Sequence, residues 1–139
     1  MSRSGYDDGI NQWDLIRWRG AVASAIRGKR GQALLRELLG ELDSMPESNR
    51  RLIGGLLEEG GEVCALGAVG RRRGVDMGGI DEQDPEQVAA AFRVSEALVR
   101  EITNENDDGP LRETPEQRWQ RMREWVIRRL NAGKRQVPA

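Results

Sequence analysis

The side chains best placed to do chemistry lie between Trp13 and Arg36. That stretch holds six cations, Arg17, Arg19, Arg27, Lys29, Arg30 and Arg36, against one acid, Asp14. Cations near turns and tryptophans suit phosphate groups, whether of a nucleic acid or of a nucleotide. Gly28 and Gly31 bracket Lys29 and Arg30, and exposed backbone N–H groups at such glycines help to cradle an anion. Arg71, Arg72 and Arg73 are candidates to join the set. Trp13 and Trp125 fall off the apolar stripes of their helices and are the candidates for stacking on a base. The competing account is plainer: the same cations complement the negative ends of helices and pair with acids elsewhere.

Those acids are concentrated. Residues 81–108 carry nine acids and two bases, whereas 112–135 carry eight bases and three acids. A net charge of −1 therefore conceals a bipolar chain, whose opposite regions are expected to face each other in the fold or across a homodimer. Asp81, Asp84 and Glu86 head the acidic stretch and are the candidates for a partner-facing surface.

Several chemistries are excluded outright. The chain has no histidine and one cysteine, Cys64. A histidine general base, a Ser-His-Asp or Cys-His pair and a His-ligated zinc or iron site cannot be built. Any metal would be a hard ion held by carboxylates, and the spacing of Asp76, Asp81, Glu82 and Asp84 does not demand one. The loop from Asn104 to Gly109 matches the first half of a calcium loop, but Pro115 stands where a bidentate glutamate is required. The glycine-rich stretch 54–79 lacks the lysine and hydroxyl of a phosphate-binding P-loop. No catalytic residue, metal or cofactor is expected. Residues 1–12 show no apolar core of a signal peptide, and no apolar run approaches the ~18 residues of a membrane span, so a cytoplasmic protein without membrane contact is expected.

Helices must position these groups. Leu15, Trp18, Val22 and Ile26 repeat at helical spacing and predict a first helix over about 10–26. Gly28 to Gly31 reads as its cap and turn, with the cations at the negative helix end. Leu34, Leu35, Leu38, Leu39 and Leu42 predict a second helix over about 32–42. Residues 50–80 are ambiguous: a short β-hairpin fits 50–66, and a helix fits Cys64–Arg72, whose small residues permit close packing. Asp84-Pro85 starts a short helix to about 92 and Ser95 caps another to about 105. Thr114-Pro115-Glu116-Gln117 is a capping box for a last helix over about 115–131, with Trp119, Met122, Val126 and Leu130 inward. The expected fold is a single, mainly α domain of five or six helices, with residues 1–9 a flexible arm and 133–139 a tail.

Taken together, WDLIRWRGAV, IRGKRGQALLREL, GEVCALGAVG, RGVDM and ENDDGPLRETPEQRWQRMREWV resemble a group of small accessory proteins of tailed phages and prophages of Gram-negative bacteria. The resemblance spans most of the chain. It implies an accessory product acting in the host bacterial cytoplasm by binding rather than catalysis, with a host protein complex or an anionic nucleotide as partner. By analogy with small phage proteins, the expected role is inhibition of a host process, foremost an antiviral defence system. The alternative is a DNA- or RNA-binding regulator that uses the basic 17–31 stretch. A carboxylate-metal phosphohydrolase comes last.

Overall fold

A computed structural model describes residues 3–4 and 12–135, with the side chains of residues 12 and 132–135 excepted. The helices are α1 (Gln12–Arg27), α2 (Lys29–Ser44), α3 (Ala65–Arg73), α4 (Pro85–Phe92), α5 (Glu96–Asp107) and α6 (Pro115–Arg135). A two-stranded antiparallel hairpin, β1 (Glu58–Glu59) and β2 (Glu62–Val63), precedes α3. The chain forms one mainly helical domain.

Helix α3 is the centre. Every residue from Ala65 to Gly70 is buried, which is why it shows no amphipathic stripe and reads ambiguously in sequence. Its small residues are steric requirements. A Cβ at Gly67 would overlap the Leu57 carbonyl, and one at Gly70 would press on the Phe92 ring and the Met77 sulfur. The hairpin turns through Gly60 and Gly61, both at positive φ, the requirement of a two-residue turn matched to strand twist. Cys64 is buried and caps α3, its Sγ accepting the Gly67 N–H.

Against α3 pack α2, with its buried Leu34, Leu35, Leu38 and Leu42, and α5, with Leu98 and Ile102, while Met122 and Val126 of α6 extend the same core against α2. The capping signals operate as their chemistry predicts. Asp84 accepts the Glu86 N–H, Ser95 Oγ the Leu98 N–H, and Thr114 and Gln117 close a reciprocal capping box.

Three expectations change. The segment Gly28–Gly31 is not a turn: α2 begins at Lys29, and one extended residue, Gly28 (φ −65°, ψ 161°), separates it from α1. Gly31 lies inside α2 and is buried, because a Cβ there would overlap the Ala25 carbonyl where the two helices cross. Trp125 is not surface: it is 2% exposed, since α6 packs against α1, α2 and α5 and its buried arc is wider than one stripe. Trp119, expected inward, is half-buried at the edge, with its Nε1 donating to the Leu42 carbonyl.

At the ends, Arg3 and Ser4 of the expected arm are buried, and the rest of 1–9 lies outside the described residues. Helix α6 runs on to Arg135, into the stretch expected as a tail. No described helix is long and apolar enough to cross a membrane.

Candidate functional site

The one-residue break at Gly28 sets the electrostatics of the basic stretch. Arg27 falls in the last turn of α1, where a cation is favoured. Lys29 and Arg30 fall in the first turn of α2, where the helix dipole is positive. That turn holds no acid, and Gly28 supplies no side-chain cap. The α1 carbonyl end is instead met by Gln32, whose Nε2 donates to the Ile26 carbonyl at 2.7 Å and to that of Arg129 at 3.4 Å. Capping of α1 thus accounts for Arg27 but not for Lys29 or Arg30.

Lys29 and Arg30 border a hollow of about 400 Å³ between the α1–α2 junction and the start of α5. Ala25, Val94 and Leu98 form its apolar wall, and Ser24 and Ser95 add hydroxyls. Across Arg30 and Val94 it continues into a second hollow lined by Ala33, Leu34, Arg73 and Arg93. Arg93 was not legible as a site residue. It stands at the end of α4 in the left-handed region (φ 56°, ψ 45°), where glycine is usual. That conformation costs a non-glycine residue about 1 kcal/mol, and it turns the chain so that Arg93 reaches the rim occupied by Arg30. The signal in the sequence is only the juxtaposition of the α4 end with the Ser95 cap.

Among the described residues, no ion pair engages Arg17, Arg27, Lys29, Arg30 or Arg93. The second candidate triplet behaves differently. Arg73 is held by Glu37 at 2.7 and 2.8 Å and donates to the Phe92 carbonyl. Arg72 lies 3.8 Å from Glu41, and Arg71 donates to the Gly61 carbonyl at 3.3 Å. All three occupy the last turn of α3. Only Arg73 borders the groove, and its charge is matched there.

No protein-family model, curated protein or solved structure matches the chain.

The acidic candidates serve local structure. Asp84 caps α4 and also receives the Gln87 amide. Asp81 accepts the Gln83 N–H, and Glu86 sits exposed in the first turn of α4. The two bipolar stretches do meet, at Arg121 and Glu105 (3.5 Å), while Arg121 and Arg118 both reach Glu113. Asn106, expected in a calcium-like loop, lies in the last turn of α5 and points inward, with Oδ1 accepting the Ala65 N–H and Nδ2 donating to the Ile53 carbonyl. Among the described residues, no cluster of three carboxylates or thiols could share a metal ion. Of the two stacking candidates, Trp125 lies under Arg129 in the core, and Trp13 is 73% exposed at the far end of α1.

Proposed function

We propose that this protein acts by binding rather than catalysis, and that the groove bordered by Lys29, Arg30 and Arg93 receives an anionic group of its partner. The observation that carries this is the set of three cations, unmatched by any described carboxylate, on a groove that opens at the uncapped start of α2. An anion there would meet side-chain charge and helix dipole together. The apolar wall of Ala25, Val94 and Leu98 suits an organic anion such as a nucleotide, or an acidic side chain of a protein, better than a bare inorganic ion. The proposed setting, drawn from the phage and prophage resemblance, is antagonism of a host defence in the bacterial cytoplasm.

The groove is tested by an amide NMR titration with inorganic pyrophosphate. Amides of residues 28–31 and 93–95 are expected to shift, less so at higher salt, and the K29Q/R30Q/R93Q variant should lose the response. A wild-type protein whose groove amides do not move overturns the assignment. The setting is tested by expressing both proteins in bacteria that carry a phage-defence system. Restored phage growth with the wild type and not with the triple variant supports it, and no effect of either ends it.

A nucleic-acid regulator is the weaker reading. Single-strand binders interleave cations with stacking aromatics. Here the exposed Trp13 has Arg17 one turn along α1 but lies fourteen residues from Arg27 and the groove cations beyond it, about 21 Å along the helix at 1.5 Å per residue.

A further inference from the structure

The two hollows of the groove lie side by side along α2. Lys29 borders the first and Ala33 the second, with Arg30 on the ridge between them. They therefore repeat at four residues, about 6 Å along the helix. Both are open troughs, whereas a small-molecule site encloses most of its ligand. Among the described residues, neither is lined by an aromatic ring, a side-chain amide or a carboxylate. Rings and amides are what a nucleic-acid base needs, for stacking and for pairing its edge. The floors are aliphatic, and the cations stand on the rim. Arg73 adds no free charge there. Held by Glu37, it donates to the Phe92 carbonyl at 2.5 Å and so pins the residue before Arg93.

We infer that the groove receives an acidic amphipathic helix of a partner protein, seated through two aliphatic side chains one turn apart, an inference that rests on the anion-binding reading of the same groove. Side chains at i and i+4 on one face of a helix are also about 6 Å apart. One leucine-sized group therefore drops into each hollow. Carboxylates beside them meet Lys29, Arg30 and Arg93, which no described carboxylate matches. The positive start of α2 adds to the pull on those acids. An extended segment fits less well. It draws its affinity from a free sheet edge, and neither β1 nor β2 borders the groove. A helix satisfies its own backbone and lays only side chains on the aliphatic floor.

The probe is a fluorescein-labelled peptide of about fifteen residues, the length at which an isolated helix forms. It is built of glutamate and alanine, with leucines at i and i+4. Fluorescence anisotropy and amide NMR of the full chain read its binding. Amides of residues 28–31, 33–34 and 93–95 are expected to shift. Replacing both leucines by alanine should weaken binding about tenfold, and replacing the glutamates by glutamine should abolish it. Ala33 is exposed, so Ala33→Gln fills the second hollow and leaves the three cations in place. That variant should bind the peptide about tenfold more weakly while the pyrophosphate shifts at 28–31 persist. A chain that responds to pyrophosphate but binds the leucine and alanine peptides alike keeps the anion site and overturns the helix. Tighter binding of ATP or of oligothymidylate than of the peptide overturns it too, as does an Ala33→Gln variant that binds the peptide unchanged. Response to neither pyrophosphate nor peptide overturns both readings. Far-UV circular dichroism confirms that the variant is folded.

Discussion

Arg3 and Asp107, 104 residues apart, meet in a two-pronged ion pair, Nε to Oδ2 at 2.6 Å and Nη2 to Oδ1 at 2.8 Å. The Arg3 side chain is 3% exposed and that of Asp107 23%. Asp107 also accepts the Gly55 N–H and the Asn106 amide, and Arg3 reaches the Cys64 sulfur at 3.8 Å. The pair ties the chain's beginning to the end of α5, the hairpin approach and the cap of α3. Removing one member leaves the other charge uncompensated. Arg3→Ala is expected to cost about 3 kcal/mol, read as a lowered urea midpoint. The R3M/D107L double substitution should cost less than the sum of R3M and D107L alone.

The same pair sets an acid dependence. Burial pushes the Asp107 carboxyl upward, but hydrogen bonding and charge from Arg3, with help from Asn106 and Gly55, hold it below the ordinary carboxylate range. Glu113 is likewise lowered, first by its hydrogen bond from Arg121 and against burial. Each folded carboxyl binds its proton less readily than the unfolded one. The stability they contribute is present above the unfolded values, near pH 4, and is lost as pH falls through the folded values. Burial raises Glu105 despite Arg121. Its contribution has the opposite sign: it is present below the unfolded value and lost as pH rises through the folded one. The two lowered groups should prevail, so the urea midpoint drops on acidification below about pH 4. Asp107→Asn should make that drop shallower.

Glycines of one sequence type should divide by environment. Gly31→Ala places a Cβ on the Ala25 carbonyl and is expected to destabilise by about 2 kcal/mol, as overpacking does. Gly40 lies in the same helix with open space beside it. Gly40→Ala should stabilise by about 1 kcal/mol through helix propensity. Thermal unfolding of the two variants reads both signs.

Arg93 should separate stability from binding. Arg93→Gly relieves the left-handed backbone at the end of α4 and is expected to raise stability by about 1 kcal/mol. It also removes one of the three groove cations, so the pyrophosphate response should weaken. A variant that gains stability with an unchanged titration would remove Arg93 from the site.

Strong local signals in the chain dictate the helix starts they mark. Pro85, Ser95 and Thr114 mark starts that α4, α5 and α6 adopt, because a cap is a contact among residues two or three apart and needs no tertiary partner. The hairpin fell within the expected window because Gly60-Gly61 admits the positive φ its turn needs. The leucines of α2 announced the core by their period alone. The placement of Lys29 and Arg30 was decided only in three dimensions. Glycines 28 and 31 look alike as turn residues, and only the crossing of α2 over the Ala25 carbonyl makes one a break and the other a packing contact. That crossing moved both cations from the end of one helix to the start of the next, and so reversed the dipole they face. Trp125 went inward because three helices surround α6, a fact no single-helix period contains. Arg93 joined Arg30 because a left-handed residue turned the chain back, and the groove exists only where those two distant stretches meet.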